Sequence, residues 1–162
     1  MLTIRRATNE DFHTLLDLID ALADYEKLDP PDAEARERLR RDGFGAEPRF
    51  RAYLAELDGE AVAYAITYFT YSSFLARPTL FLEDIFVLPD ARGKRVGSTI
   101  FRFLAAQAVE EGCGRMEWIV LDWNRPAIEF YERMGGRQLT EWQTFRMTRE
   151  QMIALTDRPQ AG

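Results

Sequence analysis

The run from Thr79 to Leu104 constrains this chain more than any other. Its first ten residues alternate around apolar, β-forming positions and predict a strand. Leu88-Pro89-Asp90 predicts a turn, and Val96 opens a helix that buries Val96, Ile100, Phe103, Leu104 and Ala108 on one face. Between strand and helix lies Arg92-Gly93-Lys94-Arg95-Val96-Gly97-Ser98. A basic, glycine-containing loop at a helix N-terminus is an anion site, because the first-turn amides lack intrahelical partners and the helix dipole favours negative charge. Gly93 and Gly97 let backbone come close to a bulky phosphate group. The expected ligand is therefore phosphorylated. The spacing is neither the dinucleotide G-x-G-x-x-G nor the Walker G-x-x-x-x-G-K-(S/T).

The rest of the chain supplies a sheet and helices around that stretch. Residues 2–6 read as a strand, and Thr8 or Asn9 caps a helix with Phe12, Leu15, Leu16, Ile19, Leu22 and Ala23 at helical spacing. Residues 25–31 form a loop broken by Pro30-Pro31, then a short charged helix runs to about Arg41 and Asp42-Gly43-Phe44-Gly45 turns. Residues 50–57 and 61–71 are strands joined at Asp58-Gly59, a hairpin signal. Gly112 ends the helix of residues 96–111, and residues 116–121 form an apolar strand of central character. Pro126 suits the first turn of a helix to Met134 that Gly135-Gly136 closes. Residues 139–148 read as a last strand with a turn or bulge, a short helix follows, and residues 157–162 read as a frayed tail. The order β-α-α-β-β-β-α-β-α-β predicts an α/β (α+β) sandwich around a mixed sheet, as one domain over residues 1–156.

Composition excludes several classes. With 46% hydrophobic and 30% charged residues the chain reads as globular rather than disordered, and it has no apolar run long enough to span a bilayer. The single cysteine, Cys113, cannot form an internal disulfide, which points to a reducing cytoplasm, and it reads as a small turn residue. The lone histidine, His13, has no partner at ligand spacing, so no metal is expected. The net charge of −6 gives no basic footprint for nucleic acid. Residues 9–35 hold nine carboxylates and one lysine, mostly a solvated helix face, but also a field that would draw in a cationic substrate.

The loop resembles the acetyl-CoA loop of the GCN5-related N-acetyltransferases, (Q/R)-x-x-G-x-(G/A), read here as Arg92-x-x-Arg95-x-Gly97. Arg95 stands where that family has glycine, so either the backbone there is αR, which any side chain tolerates, or the loop approaches the pyrophosphate less closely. Tyr68-Phe69-Thr70-Tyr71, Leu82-Glu83-Asp84-Ile85-Phe86-Val87, Trp123-Asn124-Arg125-Pro126, Phe130-Tyr131, Tyr25-Glu26 and Asp42-Gly43-Phe44-Gly45 resemble the diamine branch, the spermidine/spermine and thialysine acetyltransferases. The resemblance runs from about residue 3 to 150. It implies a six- to seven-stranded, mostly antiparallel sheet splayed between strands 4 and 5, acetyl-CoA as donor, a small cationic amine as acceptor, and a homodimer.

It also implies roles. Amides at Ile85, Phe86 and Val87 would pair with the pantetheine, and Arg92, Gly93, Lys94, Arg95, Val96, Gly97 and Ser98 would hold the pyrophosphate. Asn124, Arg125, Pro126 and Ala127 would complete the donor site; Ala127 replaces a residue that is often serine in the related enzymes. Glu83 would contact the amine and deprotonate it through an ordered water, with Asp84, expected on the opposite face of the strand, a structural or secondary acid. Tyr131 would protonate the leaving thiolate. Tyr25, Glu26, Glu117, Trp118, Ile119 and Glu141 would contact the amine. The polyamine enzymes carry an acid where this chain has Ser72-Ser73, which favours a shorter amine or a thialysine-like amino acid over spermine. Two other readings stay open: a peptide or protein N-acetyltransferase, and a non-catalytic acetyl-CoA-binding module.

Overall fold

The Asp58-Gly59 hairpin closes as expected. Its two residues take φ of 54° and 91°, the double positive φ of a two-residue turn whose twist suits the flanking strands. Around it a computed structural model describes residues 1–157 as β1 (Leu2–Arg6), α1 (Phe12–Glu26), α2 (Ala33–Phe44), β2 (Arg51–Leu57), β3 (Glu60–Ser72), β4 (Arg77–Val87), α3 (Val96–Glu110), β5 (Arg115–Trp118), α4 (Arg125–Arg133) and α5 (Arg149–Thr156). The tail expected at residues 157–162 lies outside the described residues, apart from Asp157, which caps α5.

The chain divides into two compact units, Met1–Leu121 and a second that begins at Asp122. The first holds a sheet of order β1-β2-β3-β4-β5, antiparallel through β4 and parallel between β4 and β5. On one face Leu15 and Leu18 of α1 pack with Leu54, Tyr64, Ile66 and Phe86. On the other, Phe103 of α3 meets Tyr53 edge-on at 5.4 Å, and Phe101 meets Trp118 at 5.2 Å. Helix on sheet on helix is the layered solution when both faces of a sheet are apolar. α2 lies against α1 through the Phe44 and Phe12 rings, 6.0 Å apart, and the Arg36–Asp20 ion pair at 2.8 Å. Arg5 ties β1 to β2 and the first helical turn, with 2.8 Å bonds to both Asp11 oxygens and one of 2.6 Å to Glu56.

Three expectations are corrected. α2 runs through Asp42-Gly43-Phe44 instead of stopping near Arg41, and Gly45 is its C-cap, donating to the Arg41 carbonyl at 2.9 Å. β5 is four residues long and the last strand of the sheet rather than a central one. The sheet has five strands among the described residues, not six to seven, because residues 139–148 form none. Thr140-Glu141 turns inside that segment and its side chains are exposed, so its apolar and β-branched residues lack the paired neighbour that makes a strand.

In the second unit, Asn124 caps α4 by accepting from the Ala127 amide at 3.3 Å. The helix closes with Gly136 donating to the Tyr131 carbonyl at 2.9 Å and Gly135 to that of Glu132 at 3.0 Å, with Gly135 at φ 93°. This paired closure favours glycine, which has no Cβ to resist positive φ. Thr148 and Gln151 cap the start of α5 reciprocally.

Candidate active site

The site is set by one extra residue in β4. Thr67 pairs with Leu82 but Ile66 pairs with Asp84, so Glu83 is the surplus residue of a β-bulge. A bulge shifts the phase of side-chain alternation. Leu82 lies on the α3 face with Thr67, whereas Asp84 lies on the α1 face with Ile66. Glu83 also stands on the α1 face, where it accepts a hydrogen bond from Tyr68 Oη at 3.2 Å. The two carboxylates therefore share a face instead of pointing apart.

What surrounds them is acidic and phenolic. Burial first, and then the charge of Glu83, push the Asp84 carboxyl up to about 6, with Glu26 adding to the effect and the Tyr64 hydroxyl opposing it. Burial also raises Glu26, the last residue of α1. Tyr64, 0% exposed, has a hydroxyl with no hydrogen-bond partner of good geometry. That hydroxyl nevertheless feels Asp84: burial, and then the Asp84 charge, raise the phenol well above its ordinary value. Asp84 is also a hydrogen-bonding neighbour of that hydroxyl, at a geometry looser than a well-formed bond. Burial and Glu83 likewise raise Tyr68. Glu26, Glu83 and Asp84 form no ion pair with a described side chain. Among the described residues no group of three or more His, Cys, Asp or Glu could hold a metal.

β4 then leaves its neighbour. β5 pairs with residues 79–82, so among the described residues the edge of β4 facing away from β3 has no strand partner over residues 83–87. This is the expected splay. The chain turns at Pro89 into the basic loop, where Gly93 takes φ 76° and Arg95 takes φ 63°, ψ 9°. Arg95 is left-handed, so the αR alternative is excluded and the family's preference for glycine there has its reason in the backbone. No side chain caps α3, which leaves the first-turn amides of Val96, Gly97 and Ser98 open to an anion. Ser98 Oγ donates to the Arg95 carbonyl at 2.9 Å, so its hydroxyl braces the loop. Arg92 does likewise: its Nε donates to the Val87 carbonyl at 3.0 Å and its guanidinium lies over the rings of Tyr25 (4.9 Å) and Phe86 (5.6 Å).

The other expected residues divide. Glu117 pairs with Phe81, whose ring lies 5.1 Å from that of Tyr68, and it takes an ion pair from Arg115 at 3.0 Å, so it shares the α1 face. Trp118 packs on Phe101 of α3 and is not on that face. Ile119 follows the end of β5 and is exposed. Within the second unit, Asn124 caps α4, Arg125 and Pro126 form its first turn with Ala127, and Tyr131 stacks edge-on with Phe130 at 5.3 Å. Glu141 is exposed, with Arg137 at 4.0 Å.

Comparison with known proteins places this geometry. The family model for acetyltransferases (GNAT) matches residues 13–136. The chain belongs to that family. It is 40% identical to the thialysine N-epsilon-acetyltransferase of Sus scrofa over 94% of this chain and 95% of that protein. It is 42% identical to the L-ornithine N5-acetyltransferase NATA1 of Arabidopsis thaliana over 62% of this chain and 44% of that protein. A solved aminoglycoside N-acetyltransferase in complex with CoA superposes with a TM-score of 0.75 at 20% identity, over 92% of this chain and 95% of that one.

In this GNAT chain the β4 edge left without a strand partner among the described residues leads to an uncapped helix N-terminus flanked by exposed Lys94 and Arg95. Sequence reasoning missed the Asp84–Tyr64 pair. The signal was Tyr64, a residue with a polar tip in the apolar run Ala61-Val62-Ala63-Tyr64-Ala65-Ile66, but only pairing register puts it beside Asp84.

Proposed function

We propose that this protein moves an acetyl group from acetyl-CoA to a primary amine of a small cationic substrate, a diamine or a thialysine- or lysine-like amino acid. The observation that carries this reading is the cluster of Glu26, Glu83 and Asp84, none neutralised by a cationic side chain, beside an unpaired strand edge. Three carboxylates on one face attract a cation and repel the anionic alternatives. The match over residues 13–136 supports one acetyltransferase domain over residues 1–156; the resemblance carries a homodimer with it, and the single cysteine, Cys113, fits a reducing cytoplasm.

The chemistry assigned to each residue follows from the reaction. Near pH 7.4 an amine of pKa about 10.4 is ammonium, and freeing its lone pair costs about three pK units, roughly 4 kcal/mol. Glu83 faces the ammonium and draws off its proton through a water. The free amine attacks the thioester carbonyl carbon, whose oxygen an outward-facing amide of Ile85 or Val87 polarises; the Phe86 amide, expected to join them, is turned toward β3 by strand alternation. The carbon–sulfur bond breaks and Tyr131 supplies the proton the thiolate takes. Tyr25 and Glu26 line the amine's entry, Glu117 adds negative charge, and Glu141 is the further acid. The residues 92–98 hold the diphosphate, and Asn124, Arg125, Pro126 and Ala127 are assigned to the donor by likeness to the family.

Thiol release from acetyl-CoA over a panel of thialysine, ornithine, spermidine and a lysine peptide tests the reading. Turnover of the small amines is expected. Tight coenzyme A binding with no turnover of any amine would make the protein a binding module instead. Glu83→Gln and Tyr131→Phe should each lower kcat by about a hundredfold or more, while titration calorimetry finds the coenzyme A affinity unchanged.

A further inference from the structure

Asp84 and Tyr64 are left unused by that reaction scheme, and their placement costs stability. A buried hydroxyl without a well-formed hydrogen bond carries a desolvation penalty that phenylalanine would not. A carboxylate half-buried beside two others carries another. The β4 bulge turns Asp84 to the face that already carries Tyr64 and Glu83.

We propose that Asp84 is the resting place of the proton drawn from the substrate's ammonium, with the Tyr64 hydroxyl as its switching partner. The inference rests on the amine-acetyltransferase reading above. An N–H bond of the ammonium breaks, the proton passes by way of Glu83, and an O–H bond forms on Asp84. The freed lone pair then makes the amide, and the nitrogen's second proton replaces the one that Tyr131 gives to the departing thiolate. Asp84 returns its proton to solvent after product leaves, so the cycle releases one proton for each amide and each thiol formed.

Geometry supports the sequence of transfer. Glu83 is exposed and, among the described residues, held by a hydrogen bond from Tyr68, so it faces incoming substrate. Asp84 follows it in β4 on the same face, less exposed and paired with Ile66, one position along that face from the buried Tyr64, and it feels the charges of Glu83 and of Glu26 in α1. Among these neighbours only Tyr64 steadies the ionised form; Glu26, Glu83 and burial all favour the protonated one. A phenol can donate to the carboxylate and accept from the carboxylic acid, so Tyr64 serves both states by turning one O–H bond. A carboxyl so placed lies closer in proton affinity to an amine than an ordinary surface carboxylate does, which makes it the better sink.

The test is the pH profile of kcat/KM, with acetyl-CoA and thialysine, for wild type, Asp84→Asn and Tyr64→Phe. Wild type is expected to show an acid limb near pH 6. Asp84→Asn should lose that limb and fall at least tenfold on the plateau. Tyr64→Phe should melt at the same or higher temperature, yet shift the limb to higher pH, because the donor that steadied the carboxylate is gone. A purely structural tyrosine would not move the limb. Asp84→Asn matching wild type within twofold, with the limb intact, would overturn the inference while leaving the function in place. Wild type that turns over no amine would overturn both.

Discussion

Arg95 is the residue where local cost and function meet most directly. A side chain at φ 63° pays a steric penalty of about 1–2 kcal/mol that glycine avoids, offset by glycine's greater loss of freedom on folding, about 0.5–1 kcal/mol. Arg95→Gly is therefore expected to stabilise the protein by about 0.5–1 kcal/mol, a rise of roughly 1–4 °C in Tm at this size. Coenzyme A titration of the same variant separates two roles for the guanidinium. Affinity that holds or improves means the loop merely tolerates arginine; weaker binding means the side chain itself holds phosphate. Arg92, in the same loop, is committed differently: stacked on Tyr25 and Phe86, it links the loop to the end of α1 next to Glu26.

At the scale of elements, termination of α2 and the break in β4 decide what the neighbouring segments can do. Gly45 caps α2 so tightly that a Cβ there would lie 2.4 Å from the Arg41 carbonyl oxygen. Backbone cannot swing aside as a side-chain tip can, so Gly45→Ala should destabilise by about 1–3 kcal/mol, read as a lower urea midpoint at unchanged m. The β4 bulge works the other way: it is a defect in pairing that orients chemistry. Without it Asp84 would follow Leu82 onto the α3 face among buried apolar side chains, and the acidic face would lose one of its three carboxylates.

Over the whole molecule, two carboxylates pull stability in opposite directions with pH. The Arg5 guanidinium beside Asp11 holds that carboxyl well below the usual range, so its contribution is present above about pH 4 and is lost as pH falls further. Asp84 titrates near 6, above its unfolded value of about 3.9, so the folded state binds the extra proton between them. Its contribution is full below about pH 4 and disappears as pH rises through about 6. Asp84→Asn should therefore melt close to wild type near pH 4 and above it near pH 7.5, with the gap opening between. Melting curves across that range check the sign; a gap that is constant or reversed would mean Asp84 is not strained in the fold.

Much of this protein was legible before folding because it is local. The Asp58-Gly59 turn, the glycine closures at Gly112 and Gly135, and the strand–basic loop–helix run through Arg92 and Gly97 depend on dihedral preference and on spacings of a few residues. What only the tertiary structure decided depends on partners distant in sequence. The bulge at Glu83 exists because β3 pairs out of phase with β4, and that phase turned Asp84 to the face of Tyr64 and Glu26. Trp118 went to α3 because Phe101 was there to receive it, and residues 139–148 kept a strand's composition without a strand's hydrogen bonds. Pairing register and burial are properties of two segments at once, and neither segment carries them alone.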